Sequence, residues 1–340
     1  MRSRVSVIAT IRDELDSIEP FLTSILEQSL PADEIVLVDG GSTDGTLDVL
    51  ERVRARDPRV HVYRCPGTSI SEGRNIAIAK ATSPIIAVTD AGTILEPDWL
   101  EHLVTPFWTN ASLAVSAGFF RPGGDRFFER CLTTVITPQH PEINPGTFMP
   151  SSRSVAFRRE WWEWARGYPE WLQHCEDLVF DLTLARAGAP FLFVPEAVVT
   201  WRARPTLRSF FRQYFNYARG DGHAHLWLKR HLVRYSACAG GATLLIAGLG
   251  HPGYWLALLA GMAVYFSKFY RRLWRIPPAR TWAQAVAAAA LVPVIVVTGD
   301  VAKMIGYPVG LYQRARAGGP EGLARRFTRR HEGEPEMGLP

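Results

Sequence analysis

The chain has 340 residues, of which 47% are hydrophobic and 21% charged, and it carries a formal net charge of +5 at pH 7. This length allows one large domain or two ordinary ones, with a sizeable core. The cysteines Cys65, Cys131, Cys175 and Cys238 show no paired spacing, which excludes a metal knuckle or redox motif and suits a reducing cytosol.

Residues 1–20 mix Arg2, Arg4 and Arg12 with several acids around one short strand, so no signal peptide is expected there. That strand, about 5–11, runs into the polar and acidic Arg12-Asp13-Glu14, and a helix is expected over about 18–29. Glu34 to Asp39 reads as a buried strand, because Ile35, Val36, Leu37 and Val38 are apolar and mostly β-branched. It stops on the carboxylate of Asp39. A glycine-rich turn then opens a helix over about 45–56, with Ser42, Thr43 or Asp44 able to cap its free N–H groups. Asp39 has two readings at this point. It satisfies the N–H groups of its own turn, or it meets the hydroxyls and amino groups of a nucleoside, since ligands of open α/β sheets bind beyond the carboxyl ends of the strands.

A strand over about 60–64 and a helix over about 71–81 follow. The next strand, about 85–89, again closes on an acid and a glycine in Asp90-Ala91-Gly92. Three strands thus deliver acids to one edge, and the βαβ rhythm predicts a mostly parallel sheet with helices on both faces. Pro97 marks another helix start. Residues 121–150, rich in Gly, Pro and Arg, read as a loop that is mobile or close to a membrane. Ser154 to Arg159 reads as a strand entering a helix at Glu160. Phe191 to Pro195 returns as a strand, and Thr206 to Gly220 forms an amphipathic helix.

From about Leu232 the chain changes character. Two apolar tracts, 236–250 and 254–266, are joined by the tight turn His251-Pro252-Gly253. Extended to about 232–269, they reach the length of a membrane hairpin. Lys229, Arg230 and Arg234 before it, and Lys268, Arg271, Arg272 and Arg275 after it, put both ends on the cytoplasmic side. A third apolar segment, about 283–301, is interrupted by Pro293 and ended by Asp300. If it spans, the basic tail faces outward against the positive-inside tendency, so it either turns back near Gly299 to Gly310 or lies partly in the interface. The expected division is a catalytic domain over 1–228, a membrane region over 229–313 and a basic, disordered tail over 314–340. A multi-pass protein of the cell membrane follows, with its catalytic domain cytoplasmic. The basic residues concentrate beside the apolar tracts, and no nucleic-acid module is present.

Taken in order, these segments resemble a family 2 glycosyltransferase of the GT-A fold, over roughly residues 5–220. Val5 to Glu14 matches the family's opening strand, with Glu14 on its acidic position. Val38 to Thr46 matches the signature whose first Asp, here Asp39, contacts the nucleotide base. Ser71-Glu72-Gly73-Arg74-Asn75 matches the segment whose Arg-Asn pair lies near the nucleotide. Asp90-Ala91-Gly92 stands where the family carries its Asp-x-Asp metal motif. His174-Cys175-Glu176-Asp177, followed by Arg186, matches the Glu-Asp motif that supplies the catalytic base.

The resemblance implies an α/β chain with a mostly parallel GT-A sheet flanked by helices, followed by transmembrane helices. It implies inverting transfer of a single sugar from an NDP-sugar to a hydroxyl of a lipid-linked or cell-envelope glycan. Asp177 is then the base with Glu176 beside it, and Glu14, Asp39, Arg74 and Asp90 serve the donor. A divalent cation, Mg²⁺ or Mn²⁺, sits on Asp90. The chemistry matches these residue types: a departing diphosphate needs positive charge, and an acceptor hydroxyl needs a general base. Adjacent carboxylates also repel, which raises one pKa.

Plainer readings exist for the same residues. Glu176-Asp177 suits a helix N-terminus by its dipole alone, and Arg74 suits a solvated helix start. Gly92 lacks the acid the motif normally ends on. Asp90 then binds ribose, holds the metal through water, or is relieved of it by Arg and Lys. The same departure supports a rival identity, a non-catalytic membrane scaffold that keeps the nucleotide-binding fold. A nucleotidyltransferase would need a phosphate loop after the first strand, and Ala9 to Glu14 offers only Arg12. The Gln-x-x-Arg-Trp pattern of processive synthases is absent, which argues against a polymerising enzyme. By resemblance, Arg153 and Ser154 line the acceptor pocket, and residues 121–150 are an acceptor-side element. Trp161, Trp162 and Trp164 read as core or interface contacts.

Overall fold

Strands form where apolar runs of the required length occur. In the computed structural model, which describes residues 2–124 and 126–318, β1 (Val5–Ile11) and β2 (Glu34–Asp39) pair in parallel, with Ile11 opposite Asp39. β3 (Val60–Arg64) and β4 (Ile85–Val88) extend the parallel sheet on either side. Helices α1 (Ile18–Leu26), α2 (Thr46–Arg54) and α3 (Ile70–Lys80) make the crossovers. Alternation along the strands sorts the side chains. Val5, Val7, Ile35 and Leu37 pack with α1 and α2, whereas Ile8, Val36 and Val38 pack with α3 on the other face.

The second half of the sheet is mixed. β5 (Thr93–Leu95) and α4 (Trp99–Thr109) lead to β6 (Val115–Gly123), α5 (Phe127–Ile136), β7 (Val155–Arg158), α6 (Arg159–Trp164), α7 (Glu176–Arg186) and β8 (Phe191–Arg202). The sheet order is β3-β2-β1-β4-β7-β6-β8-β5, with β7 antiparallel to both β4 and β6. The chain winds from β1 through β2 to β3, then returns across β1 to β4. The point of reversal therefore lies between β1 and β4, where ligands of open sheets bind.

Two expectations from the sequence change here. Residues 121–150 are not one loop: Arg121 to Gly123 finish β6, and Phe127–Ile136 is helix α5, which buries Cys131, Leu132 and Val135. The i, i+4 spacing of those residues outweighs the Gly and Pro around them. β8 continues past Pro195 to Arg202, because the register shift between Ala117 and Phe119 of its partner β6 relaxes the ladder near that proline.

The contacts divide the described residues into two units. The first runs to Thr206 and takes in Phe269–Val292; the second holds Leu207–Lys268 and the residues from Pro293. In the second unit lie α8 (Leu207–Ala224), α9 (Leu228–Ala247), most of α10 (Gly253–Arg275) and the later part of α11 (Trp282–Arg316). α11 runs through Pro293 and Pro308 without the turn expected near Gly299 to Gly310. Those glycines pack instead: a Cβ at Gly306 would overlap the Phe215 carbonyl, and one at Gly310 the Arg219 carbonyl, so α8 and α11 meet backbone to backbone. Asp300 does not end the helix either, because Arg234 Nε meets its Oδ1 at 2.8 Å and the Tyr265 hydroxyl donates to its Oδ2.

Among the described residues, one helix, α11, is long and apolar enough to cross a membrane. α9 falls short because Ser236 to Thr243 are small and weakly apolar, and the apolar part of α10 ends at Lys268. The tail expected from 314 lies outside the described residues from 319 onward.

Candidate active site

Arg74 is the centre of the site. Ser69 and Glu72 form a reciprocal cap at the start of α3, with the Ser69 N–H donating to Glu72 Oε2 at 2.8 Å. Gly73 then lets this helix end approach β1 and β2, since a Cβ there would lie 2.7 Å from Thr10 Cγ2. Arg74, 1% exposed, reaches between the turn that follows β4 and the first residue of α7. Its Nη1 donates to Glu176 Oε1 at 2.7 Å, and its Nη2 donates to Asp90 Oδ1 at 2.6 Å. The two buried ion pairs hold it charged, its pKa raised above the ordinary arginine value despite burial. It is not a solvated helix-start charge.

Asp90 lies in the turn two residues past β4, where its carbonyl accepts from the Thr93 N–H at 3.3 Å and the Thr93 hydroxyl at 2.7 Å. Its second oxygen faces Arg153 Nε at 4.0 Å. Arg153 stands over Trp201, 5.1 Å from the ring centre, and over Phe120 at 5.9 Å. The residue assigned to the acceptor side thus borders the same carboxylate as Arg74.

Glu176 and Asp177 open α7, preceded by Cys175 at φ 63°. Glu176 is buried, and Asp177 is partly exposed. Burial, then the adjacent Asp177, outweigh Arg74 and push the Glu176 carboxyl up to about 7. Asp177 accepts from the Leu178 N–H at 2.8 Å and more distantly from the Ser152 N–H at 3.5 Å. One turn on, Asp181 is 3% exposed, and burial followed by Asp177 raises its pKa well above the ordinary range. Sequence reading missed Asp181, although its i+4 spacing from Asp177 put it on the same helical stripe. Tyr168 was missed as well: its buried ring lies 5.4 Å from the Arg74 guanidinium.

The other expected residues separate into two groups. Asp39 is fully buried and accepts from the Gly41 N–H at 3.1 Å and the Ser42 hydroxyl at 2.5 Å, so its own turn claims it. Asn75 is a structural clamp. Its Oδ1 accepts from the Tyr168 N–H at 2.8 Å and from Trp162 Nε1 at 3.1 Å, while Nδ2 donates to the Tyr168 carbonyl at 2.9 Å. Trp162 is accordingly an internal contact. Glu14 follows β1 and faces the turn at Gly92.

A divalent cation is the group this type of site implies. Among the described residues, no three His, Cys, Asp or Glu side chains gather into a protein-only cage. Mg²⁺ takes only one or two protein carboxylates and completes its shell with phosphate and water oxygens. Asp90 stands at the sheet's reversal point with one oxygen on Arg74, so it fits such an ion as one of two carboxylates and not as the whole set.

Residues 6–163 match the family model described as glycosyl transferase family 2. The chain is 26% identical over 223 residues to the succinoglycan biosynthesis protein ExoA of Rhizobium meliloti, covering 63% of this chain and 68% of that one. It is 26% identical over 211 residues to the uncharacterized glycosyltransferase EpsJ of Bacillus subtilis, of which it spans 61%. With the O-antigen chain rhamnosyltransferase RfbN of Salmonella typhimurium it shares 24% identity over 62% of this chain and 69% of that one. Among solved structures, the mannosyltransferase PcManGT from Pyrobaculum calidifontis, in complex with GDP-Man and Mn²⁺, superposes with a TM-score of 0.54. That likeness covers 92% of this chain and 87% of the other at 19% identity, and it shows a shared fold. With a GT-A sheet whose reversal point carries acids and a buried arginine, the chain carries a family 2 glycosyltransferase domain over residues 6–163.

Proposed function

We propose that the enzyme transfers one sugar, with inversion, from an NDP-sugar to a hydroxyl of a lipid-linked or cell-envelope glycan. The observation that carries this reading is the joining of Asp90 and Glu176 by Arg74, with Asp177 partly exposed beside them. Asp177 removes the proton of the acceptor hydroxyl as its oxygen attacks the anomeric carbon. The bond from that carbon to the diphosphate oxygen breaks on the opposite face, and the diphosphate leaves with the bonding pair. Arg153 supplies positive charge on the side of Asp90. A divalent cation on Asp90, when bound, neutralises charge on the leaving diphosphate. On the donor side Arg74 orients Asp90, and Asp39 shapes the turn that follows β2. PcManGT, which shares the fold, was solved in complex with GDP-Man and Mn²⁺, and this supports the same class of donor here.

The acceptor reading rests on the C-terminal third. α9 and α10 expose large apolar side chains, among them Val233 at 69% and Val264 at 75%, beyond what water-facing helices carry. These faces enter a bilayer surface, and α11 supplies the segment able to cross it. The catalytic domain then works on the cytoplasmic side, where an anchored enzyme gains effective concentration for anchored acceptors.

Within the first unit, the end of α10 fastens the segment assigned to the acceptor. Arg272 Nη2 donates to Glu142 Oε2 at 2.5 Å and Nη1 donates to the Val135 carbonyl at 2.7 Å. Arg130 Nε also donates to the Pro278 carbonyl at 3.0 Å. Glu142→Gln removes the negative charge that accepts from Arg272 Nε and Nη2; if this weakens acceptor binding by about 1.5 kcal/mol, kcat/KM for the acceptor is expected to fall about tenfold. The KM for the donor should not move; a loss confined to the donor would detach this segment from the acceptor.

Two tests address the site. Nucleotide sugars differing in base and sugar are screened for hydrolysis and thermal stabilisation, with and without Mg²⁺ or Mn²⁺. A true donor at a hundredfold excess over its Kd stabilises by about 2.7 kcal/mol, and no response across the panel would defeat the reading. Glu176→Gln should remove the acid limb near pH 7 from kcat/KM, because burial and the adjacent Asp177 push that carboxyl up to about 7 and glutamine cannot titrate. In the wild type that limb belongs to the pair, as Glu176 itself titrates near 7.

A further inference from the structure

The family's metal motif ends on a second acid, and this chain has Gly92 there. Gly92 is at φ +79°, a conformation that resists side chains. The direction a side chain would take is already filled. A Cβ at position 92 would lie 3.2 Å from Glu14 Oε2 and 3.7 Å from Glu14 Cδ. A carboxylate thus stands beside the Asp90 turn after all, contributed by the end of β1.

Glu14 is held for that position. Its N–H donates to Thr46 Oγ1 at 2.9 Å, and its carbonyl accepts from the N–H groups of Ser17 and Ile18 at 2.9 and 2.8 Å. The Ser17 hydroxyl donates to Oε2 at 2.5 Å, which fixes the side chain as well. Among the described residues, no cation comes within ion-pair distance of Glu14, and its Oε1 accepts no hydrogen bond. Asp90 differs: one oxygen is on Arg74 and the other faces Arg153, so it has little charge to spare for an ion. A divalent ion settling on Asp90 alone would meet a carboxylate largely neutralised by two arginines. One further carboxylate restores the one-or-two complement that Mg²⁺ and Mn²⁺ sites with phosphate oxygens use.

We infer that Glu14 takes the place of the acid missing at position 92, and with Asp90 holds the divalent cation that accompanies the donor diphosphate. The inference rests on the donor reading above. It separates from a plain nucleoside contact by Glu14, because a contact to the nucleoside acts whether or not metal is present.

The experiment measures binding of UDP and of GDP to the detergent-solubilised full chain, in EDTA and in Mn²⁺. Bound Mn²⁺ is counted in parallel by its electron paramagnetic resonance. In the wild type, Mn²⁺ should tighten one of the two nucleotides by a factor within the usual coupling range of about 5–150. Glu14→Gln should abolish most of that gain and lower the bound Mn²⁺, while its nucleotide affinity in EDTA changes by much less than the gain that is lost. The EDTA arm also shows that the variant is folded, and Glu14→Asp should recover part of the gain. A Glu14→Gln protein that keeps the Mn²⁺ gain overturns the inference, as does one weakened equally with and without metal. A wild type that binds a nucleotide with no Mn²⁺ gain also overturns it and leaves the donor reading standing. Binding of neither nucleotide, with no response to any donor in the wider panel, would remove both.

Discussion

An Asp177→Asn enzyme is expected to turn over about 10²–10⁴-fold more slowly than the wild type, the usual contribution of a general base. Donor binding should be retained. Asp177 is the acid of the α7 pair that stays partly exposed, and its oxygens are held by the Leu178 N–H at 2.8 Å and weakly by the Ser152 N–H at 3.5 Å. Asparagine keeps that shape but cannot take a proton from the acceptor. Single-turnover kinetics at saturating donor, with nucleotide titration beside them, separate the two effects. A variant with full turnover would place the base elsewhere. A chain acting only as a membrane scaffold would keep its cellular role in this variant.

The second large effect concerns stability. Arg74→Met should cost about 3–5 kcal/mol, because breaking a buried ion pair from one side leaves its partner's charge uncompensated. Here two carboxylates, Asp90 and Glu176, lose their cation at once. The loss should depend on pH. In the fold the Glu176 carboxyl is already pushed from 4.5 up to about 7, and removing the guanidinium raises it further. A carboxyl raised in the fold contributes its stability below the unfolded value and loses it as pH climbs through the folded value. The deficit of Arg74→Met against the wild type should therefore be small near pH 5 and widen toward pH 8. Denaturant melts at the two pH values measure it, and a deficit independent of pH would mean that packing, not charge, dominates at Arg74.

Where chemistry needed a residue at the end of a strand, the sequence announced it. Asp39 closes the four-residue apolar run of β2, and Asp90 stands two residues past the four apolar residues of β4. Glu176 and Asp177 stand at a helix start for the same local reason. Partnership was harder to foresee. Asp39 and Asp90 look alike in sequence, yet one is claimed by the Ser42 hydroxyl and the other by Arg74. Asn75, adjacent to Arg74, serves the Trp162 to Tyr168 segment instead of the nucleotide side. Neighbours on a helix point about 100° apart, so adjacent residues part company as soon as the helix packs.

Apolar patterning determined β1 to β4, β7, the start of β8 and the crossovers α1 to α3, because strand length and side-chain alternation are local properties, whereas β5 and β6 were not legible in it. Local sequence also marked the apolar C-terminal third. Tertiary structure decided which charges meet: Arg74 with Asp90 and Glu176 across 16 and 102 residues, Arg272 with Glu142 across 130, and Arg234 with Asp300 across 66. It also decided that Glu14 stands in the space left by Gly92. Such pairings depend on the distance and burial of groups far apart in the chain, and Coulomb energy in a protein interior is set by those two quantities.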